Sequence, residues 1–420
     1  MKGEPPMAVD ERKCRFCGNL LRVSVADLGM SPVSNDNIKP EKLSAMEPFY
    51  PLHAYVCEHC WLVQLGQFQA ADDIFSDEYA YFSSFSKSWL EHARQYSLKV
   101  IERFALDRDS QVVEIASNDG YLLRNFKDKG IKILGVEPCA NVAEAAEKIG
   151  IPSLKKFFGV RTAEQMVEEG ILADLVVGNN VLAHVPDLND FVKGMKILLS
   201  PQGVITMEFP HLKKLIEFNQ FDTMYHEHFS YFSLVTVERV FAEFGLTVFD
   251  VEEIPTHGGS LRIYARHDSD TSKPVLESVD ILRDQEVAAG FTDTGIYTRF
   301  AEQVRETKRK LLSFLIETKR LGKTIVGYGA PAKGNTLLNY CGIRNDFVDY
   351  TVDLSPHKQG LYLPGTHLPI FSPERINETK PDYVLILPWN LKDEVMNQMT
   401  HIREWGGQFV VPIPELQVYK

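Results

Sequence analysis

The stretch Val112-Val-Glu-Ile-Ala-Ser-Asn-Asp-Gly120 runs straight into Tyr121-Leu-Leu-Arg-Asn-Phe126. Its first half is a short apolar run of the kind that forms a buried strand. The polar residues and the glycine make a tight turn, and residues 121–126 have helical spacing. A strand that turns through glycine into a helix opens a parallel α/β sheet, and backbone amides at such a turn can approach a ligand closely. Working outward, residues 111–115, 131–136, 173–178 and 203–208 read as strands with helical segments between them. That alternation predicts a mostly parallel sheet covered on both faces, binding its ligand at the carboxyl ends of the strands.

The residues at those ends are polar. Glu114, Ser117, Asn118, Asp119 and Gly120 surround the first turn, and Glu137 closes the next strand in Gly135-Val-Glu-Pro138. An acidic residue about 20 positions beyond a glycine turn commonly accepts hydrogen bonds from ribose hydroxyls. Asn179 and Asn180 end the third strand and would line the same crevice. The turn lacks the full GxGxxG, which weakens a dinucleotide reading and suits the smaller S-adenosylmethionine better.

Upstream lie two cysteine pairs, Cys14-Arg-Phe-Cys17 and Cys57-Glu-His-Cys60, with Gly18 after the first. Four thiolates on two tight turns predict one tetrahedral Zn2+ in a closed, structural site; His59 is a minor alternative ligand. The long spacer implies an inserted lobe, and in so short a segment metal is expected to replace the core that the chain cannot build.

Tyr225-His-Glu-His228 packs two imidazoles, a carboxylate and a phenol into four positions between Phe-rich segments. Such groups accept, donate or relay protons near neutral pH, as general acid–base catalysis requires. His257-Gly-Gly-Ser-Leu-Arg262 offers backbone freedom beside a histidine, and Arg262 is placed to meet a phosphate, although a plain turn into a strand explains it as well. Residues 276–321 have helical spacing and predict one or two long helices. Further strands are expected at 324–329, 347–352, 383–387 and 408–412, making a second α/β domain. In Gly327-Tyr-Gly-Ala-Pro-Ala-Lys-Gly334 the spacing departs from GxGxxG. Contact of Lys333 and Asn335 with a substrate diphosphate is therefore expected there rather than a bound dinucleotide.

The chain has 420 residues and a net charge of -12, so two or three domains and little affinity for nucleic acid are expected. No apolar run reaches the length of a membrane span, and Met1-Lys-Gly-Glu-Pro-Pro6 does not read as a secretory signal. Four of six cysteines in metal-type pairs point to a reducing, cytoplasmic compartment. With no repeated apolar surface helix in view, a monomer is the default.

Together, the four cysteines, residues 113–120, Ala183-His-Val-Pro-Asp187, the Tyr225–His228 run, His257-Gly-Gly-Ser260 and residues 327–334 make the chain resemble the S-adenosylmethionine-dependent sugar C-methyltransferases. These enzymes build branched deoxysugars on nucleotide carriers, typically at C-3 of a 4-keto sugar. The resemblance spans nearly the whole chain. It implies a zinc-binding lobe (1–69), a class I methyltransferase core (70–305) and a C-terminal Rossmann-like domain (306–420) that helps hold a nucleotide-linked keto-deoxysugar. It makes His228 the expected base, with Tyr225 and His184 polarising the sugar oxygen and Glu227 orienting an imidazole or touching substrate. His226 remains the alternative base. Hydroxyls of Tyr79 and Ser84 are expected to reach the methyl donor. An N- or O-methyltransferase acting on a sugar nucleotide or other small metabolite is the alternative reading.

Overall fold

The computed structural model describes residues 12–68 and 82–420. In chain order the N-terminal segment contributes β1 (Val23–Ser31), β2 (Tyr50–Val56) and β3 (Val63–Leu65). The middle of the chain contributes β4 (Gln111–Ile115), β5 (Lys132–Val136), β6 (Ser153–Leu154), β7 (Ala173–Asn179) and β8 (Leu199–Pro210). The short β9 (Ser230–Tyr231) precedes β10 (Leu246–Ile254) and β11 (Ser260–His267). Last come β12 (Ile325–Tyr328), β13 (Thr351–Val352), β14 (Ile370–Phe371), β15 (Tyr383–Ile386), β16 (Gln408–Val411) and β17 (Gln417–Tyr419).

The central sheet has the order β10-β11-β8-β7-β4-β5-β6. Strands β4 to β8 are parallel, and β11 runs antiparallel between β8 and β10. This is the strand order of the class I methyltransferase fold. Because β4 pairs with β5 on one side and β7 on the other, the order reverses there and a crevice opens at the carboxyl ends. Helix Lys87–Arg103 covers one face through Trp89, Ala93, Tyr96 and Val100, spaced by three and four as a helical stripe requires. Its N-terminus is capped by Ser86, whose Oγ accepts from the Trp89 amide at 3.3 Å. Helices Leu188–Leu198 and Leu234–Glu243 pack on the opposite face.

The C-terminal sheet, β14-β13-β12-β15-β16-β17, is parallel except for β17. The helical region before it divides into Glu277–Ala289 and Thr294–Arg320, because Gly290 takes a left-handed conformation (φ 94°) that ends the first.

The third sheet is antiparallel, in the order β1-β2-β3-β9, and its last strand comes from the chain immediately after Tyr225–His228. The N-terminal zinc-binding lobe does not depend on metal in place of a core, contrary to what the sequence suggested. Val25, Leu52, Ala54 and Val56 join one apolar cluster with the long helix and the C-terminal sheet, while Cys14, Cys57, Cys60 and Leu62 join the cluster under the central sheet. Apolar faces that short strands cannot cover alone are buried against the two larger domains.

Candidate active site where three sheets meet

At the carboxyl end of β4 the chain takes left-handed turns at Ala116 (φ 56°), Asn118 (φ 49°) and Gly120 (φ 78°). A Cβ on Gly120 would lie 2.8 Å from Ile151 Cγ1. The glycine thus serves the backbone and the packing against Ile151; the space it leaves faces the core, whereas the sequence pointed to close approach by a ligand. Glu137 draws the turn together, its two carboxylate oxygens accepting from the amides of Asn118 and Cys139, each at 2.9 Å. Ser84 contributes its amide, which donates to Asp119 Oδ2 at 3.1 Å, and Ser83 does the same to Asn118 Oδ1 at 2.9 Å. Tyr79 lies outside the described residues.

Among the described residues, several buried polar atoms at this crevice have no hydrogen-bond partner: both oxygens of Glu114, Ser117 Oγ, Asp119 Oδ1, Asn179 Nδ2 and Asn180 Oδ1. Buried polar groups are almost always paired, so a crevice that leaves these six open fits a polar, positively charged ligand of the size of S-adenosylmethionine. Burial, reinforced by Asp119 and Glu137, holds the Glu114 carboxyl well above the usual carboxylate range. The carboxyl groups of Glu114, Asp119 and Glu137 around one crevice favour a sulfonium and an ammonium group, with Glu114 giving up its proton as the cation binds.

Beyond it, Glu208 near the end of β8 accepts from His92 Nε2 (2.9 Å), Arg262 Nη2 (2.6 Å) and Thr256 Oγ1 (3.1 Å). The predicted phosphate contact of Arg262 is corrected here. Its guanidinium is 3% exposed, holds Glu208 and Glu252, and stacks over Tyr96, so the fork is already engaged by protein carboxylates. Glu208 was missed, although it ends a predicted strand as Glu137 does. His257 does reach the crevice: Asn180 Nδ2 donates to His257 Nε2 at 3.1 Å, both residues have positive φ, and Trp89 lies 5.1 Å from the imidazole.

The Tyr225–His228 run resolves into groups that point different ways. His228 Nδ1 donates to the Thr223 carbonyl at 2.9 Å, which fixes the tautomer and leaves Nε2 to accept from the Tyr225 hydroxyl at 2.8 Å. Burial, and then the neighbouring His184, hold His228 well below the usual histidine range, so it is neutral. The His184 ring stands edge-on at 4.7 Å from it and donates to the Glu227 backbone; burial lowers its pKa to about 4.

His226 faces the N-terminal sheet, with Nε2 3.3 Å from the Pro51 carbonyl and its ring against Tyr50 and Phe68. Glu227 orients neither imidazole. Both its oxygens accept from Asn35 Nδ2 (2.8 and 3.0 Å), and burial pushes its carboxyl up to about 7.

The C-terminal domain closes the site. Trp389 Nε1 donates to the buried Asp222 at 2.7 Å, and Thr336 Oγ1 to the Met224 carbonyl at 3.2 Å. The helix after the second glycine turn begins at Ala332, so Lys333 and Asn335 occupy its first turn. Lys333 donates to Asn390 and lies over Trp389; Asn335 is fully buried, with both amide atoms unpartnered among the described residues. Missed in the sequence were Thr223, Asp222 and Trp389, none of which carries a local signal of its own.

The four cysteine sulfurs lie within 4.8 Å of one another, with the Cys14–Cys60 and Cys17–Cys57 pairs at 3.5 Å. Zinc–sulfur bonds of about 2.3 Å in a tetrahedron set sulfurs roughly 3.8 Å apart, so the quartet fits a closed zinc site. No helix among the described residues is long and apolar enough to cross a membrane.

Comparison with known proteins agrees with this layout. Residues 14–75 match the zinc binding domain family, 89–251 the methyltransferase domain family, and 255–414 the C-methyltransferase C-terminal domain family. Among solved structures, the PH0226 protein from Pyrococcus horikoshii OT3 is 15% identical, covering 48% of this chain and 99% of that one at a TM-score of 0.37. Magnesium protoporphyrin IX methyltransferase from Synechocystis PCC 6803 with bound SAH is 12% identical, covering 42% and 82% at 0.34. C-methyltransferase NovU of Streptomyces niveus is 36% identical over 413 residues, which are 98% of this chain and 97% of that protein. A relative matched so closely along its whole length, with a crevice built for S-adenosylmethionine and a closed cysteine quartet for zinc, makes the chain a member of the S-adenosylmethionine-dependent, zinc-binding C-methyltransferases.

Proposed function

We propose that the chain methylates C-3 of a nucleotide-linked 4-keto-deoxysugar through an enolate. The observation that carries this reading is the chain Tyr225 O–H, His228 Nε2, His228 Nδ1–H, Thr223 carbonyl. It presents a neutral imidazole with a fixed lone pair beside a hydroxyl donor. A C-3 hydrogen becomes acidic when C-4 is a ketone; His228 Nε2 takes the proton and the charge moves to the C-4 oxygen. Substrate entry redirects the Tyr225 hydroxyl from Nε2 to that oxygen, where it stabilises the developing charge. His184 keeps the His228 ring in place by edge contact and holds the Glu227 backbone.

The bound methyl donor supplies an electrophilic methyl group on a sulfonium. Glu114, Asp119 and Glu137 hold its positive charge and ribose, with Ser117, Asn118, Asn179 and Asn180 around it. With the donor in place its sulfonium would supply the methyl group that C-3 gains, and the proton taken by His228 passes to solvent. His257, Lys333 and Asn335 line the side toward the C-terminal domain and serve the sugar nucleotide.

The test uses a thymidine-diphosphate-linked 4-keto-deoxysugar in deuterium oxide. Deuterium at the carbon beside the ketone without methyl donor, and a gained methyl group with it, are the expected results. His228→Asn is expected to lower both by about two orders of magnitude or more while donor affinity stays within about threefold. His226→Asn is expected to turn over normally. Wild-type exchange in His228→Asn removes His228 as the base.

A further inference from the structure

The first zinc knuckle does more than close a metal site. Arg15, between ligands Cys14 and Cys17, sends its guanidinium away from the sulfurs. Nη1 donates to the Pro186 carbonyl at 3.0 Å, Nη2 to the Leu65 carbonyl at 2.6 Å, and the plane lies 5.3 Å from the Phe229 ring centre. Pro186 comes two residues after His184, and Phe229 directly follows His228. These two segments are themselves joined, since the Phe229 amide donates to the Ala183 carbonyl at 2.7 Å. On its other side Arg15 is tied to the metal ligands: its amide donates to Gln64 Oε1 at 2.9 Å, and Gln64 Nε2 donates to Cys14 Sγ at 3.1 Å. A planar, fully charged fork is the side chain suited to spanning two carbonyls and a ring at once.

We propose that Arg15 is a positioning residue for the His184–His228 pair, through which the zinc knuckle sets the spacing of the two segments that carry these imidazoles. This inference rests on the reading of His184 and His228 as active-site residues. It assigns the knuckle a part in turnover as well as in folding. Losing zinc, or losing the fork while zinc stays, then loosens the same two segments.

The experiment is Arg15→Met in the full-length zinc-loaded chain, with zinc content, backbone hydrogen exchange, donor affinity, kcat and KM measured together. Zinc content is expected to stay at the wild-type value. Amides in residues 182–189 and 223–232 are expected to exchange about tenfold faster or more, the effect of losing two charge-assisted hydrogen bonds. The expected fall in kcat is about tenfold or more, with KM and donor affinity within about threefold, because misplaced reacting groups cost rate more than binding. Arg15→Lys, which can reach one carbonyl but not both, is expected to fall between the two and also serves if Arg15→Met is insoluble. Wild-type exchange in both segments with zinc retained overturns the proposal. So does a kcat that is unchanged per zinc-loaded molecule. Because hydrogen exchange needs no substrate, it decides the coupling even if His228→Asn shows that the base has been misassigned.

Discussion

The strand–glycine–helix turn after β4 and the one after β12 have opposite states of satisfaction. The first leaves the Glu114 carboxyl, Asp119 Oδ1 and Ser117 Oγ buried without partners among the described residues. The second is closed by its own domain. The Ala330 amide donates to Asp353 at 2.8 Å, Lys358 donates to the Ala330 carbonyl at 2.8 Å, and a Cβ on Gly329 would meet Pro388 at 2.6 Å. A glycine turn binds a cofactor only when the neighbouring strand ends leave its polar groups open. In the second turn Asp353 and Lys358 have filled them, while Lys333 and Asn335, proposed to serve the sugar nucleotide, stand one step onward on the helix.

The strongest way to break this contrast is Glu137→Ala, which removes an acceptor of two backbone amides and a carboxylate of the crevice. Affinity for S-adenosylmethionine, measured by calorimetry, is expected to fall about 100-fold, the scale of lost bonds to a charged group. Asp353→Ala is its counterpart in the second turn. It should cost about 1–3 kcal/mol of unfolding free energy by denaturant titration, because the Ala330 amide loses its partner, with donor affinity unchanged. A loss of donor affinity in Asp353→Ala removes the distinction between the turns.

Acidity sharpens it further. Burial raises the Glu114 pKa in the free protein, and a bound cation lowers it, so binding releases a proton. Donor affinity is therefore expected to rise with pH above the ordinary carboxylate range, by at most about tenfold per unit for one proton. Calorimetry in two buffers of different ionisation enthalpy reads that release directly, and zero proton release contradicts it. The smallest expected effect is none at all: NADH fluorescence should not change on titration, since the second turn is closed.

Strand β4, its turn and the cysteine quartet are legible in the sequence because each is a local signal: apolar run, glycine, CxxC. The alternation of strands and helices likewise carries the two parallel sheets, down to bounds such as 111–115. What local periodicity cannot carry is the partner across the fold. His226 and His228 are two positions apart, yet one faces Pro51 and the other Tyr225, because the intervening turn is pulled between the N-terminal sheet and the crevice. Arg262 read as a phosphate ligand since its buried partner Glu208 is far away in sequence. Glu227 read as an orienting carboxylate for the same reason, with Asn35 as its actual partner. The Arg15 clamp is invisible without Pro186 and Phe229 beside it.

The pairing of β3 with β9 has a consequence for how the protein is made. The N-terminal sheet leaves the ribosome early, but the strand that covers its last edge is Ser230–Tyr231. At 5–20 residues per second, β3 waits on the order of ten seconds or more with its edge unpaired. An uncovered edge strand is a template for pairing with another chain. Nascent or truncated chains ending before residue 229 are expected to self-associate in sedimentation experiments, and chains that extend through β9 to remain dispersed.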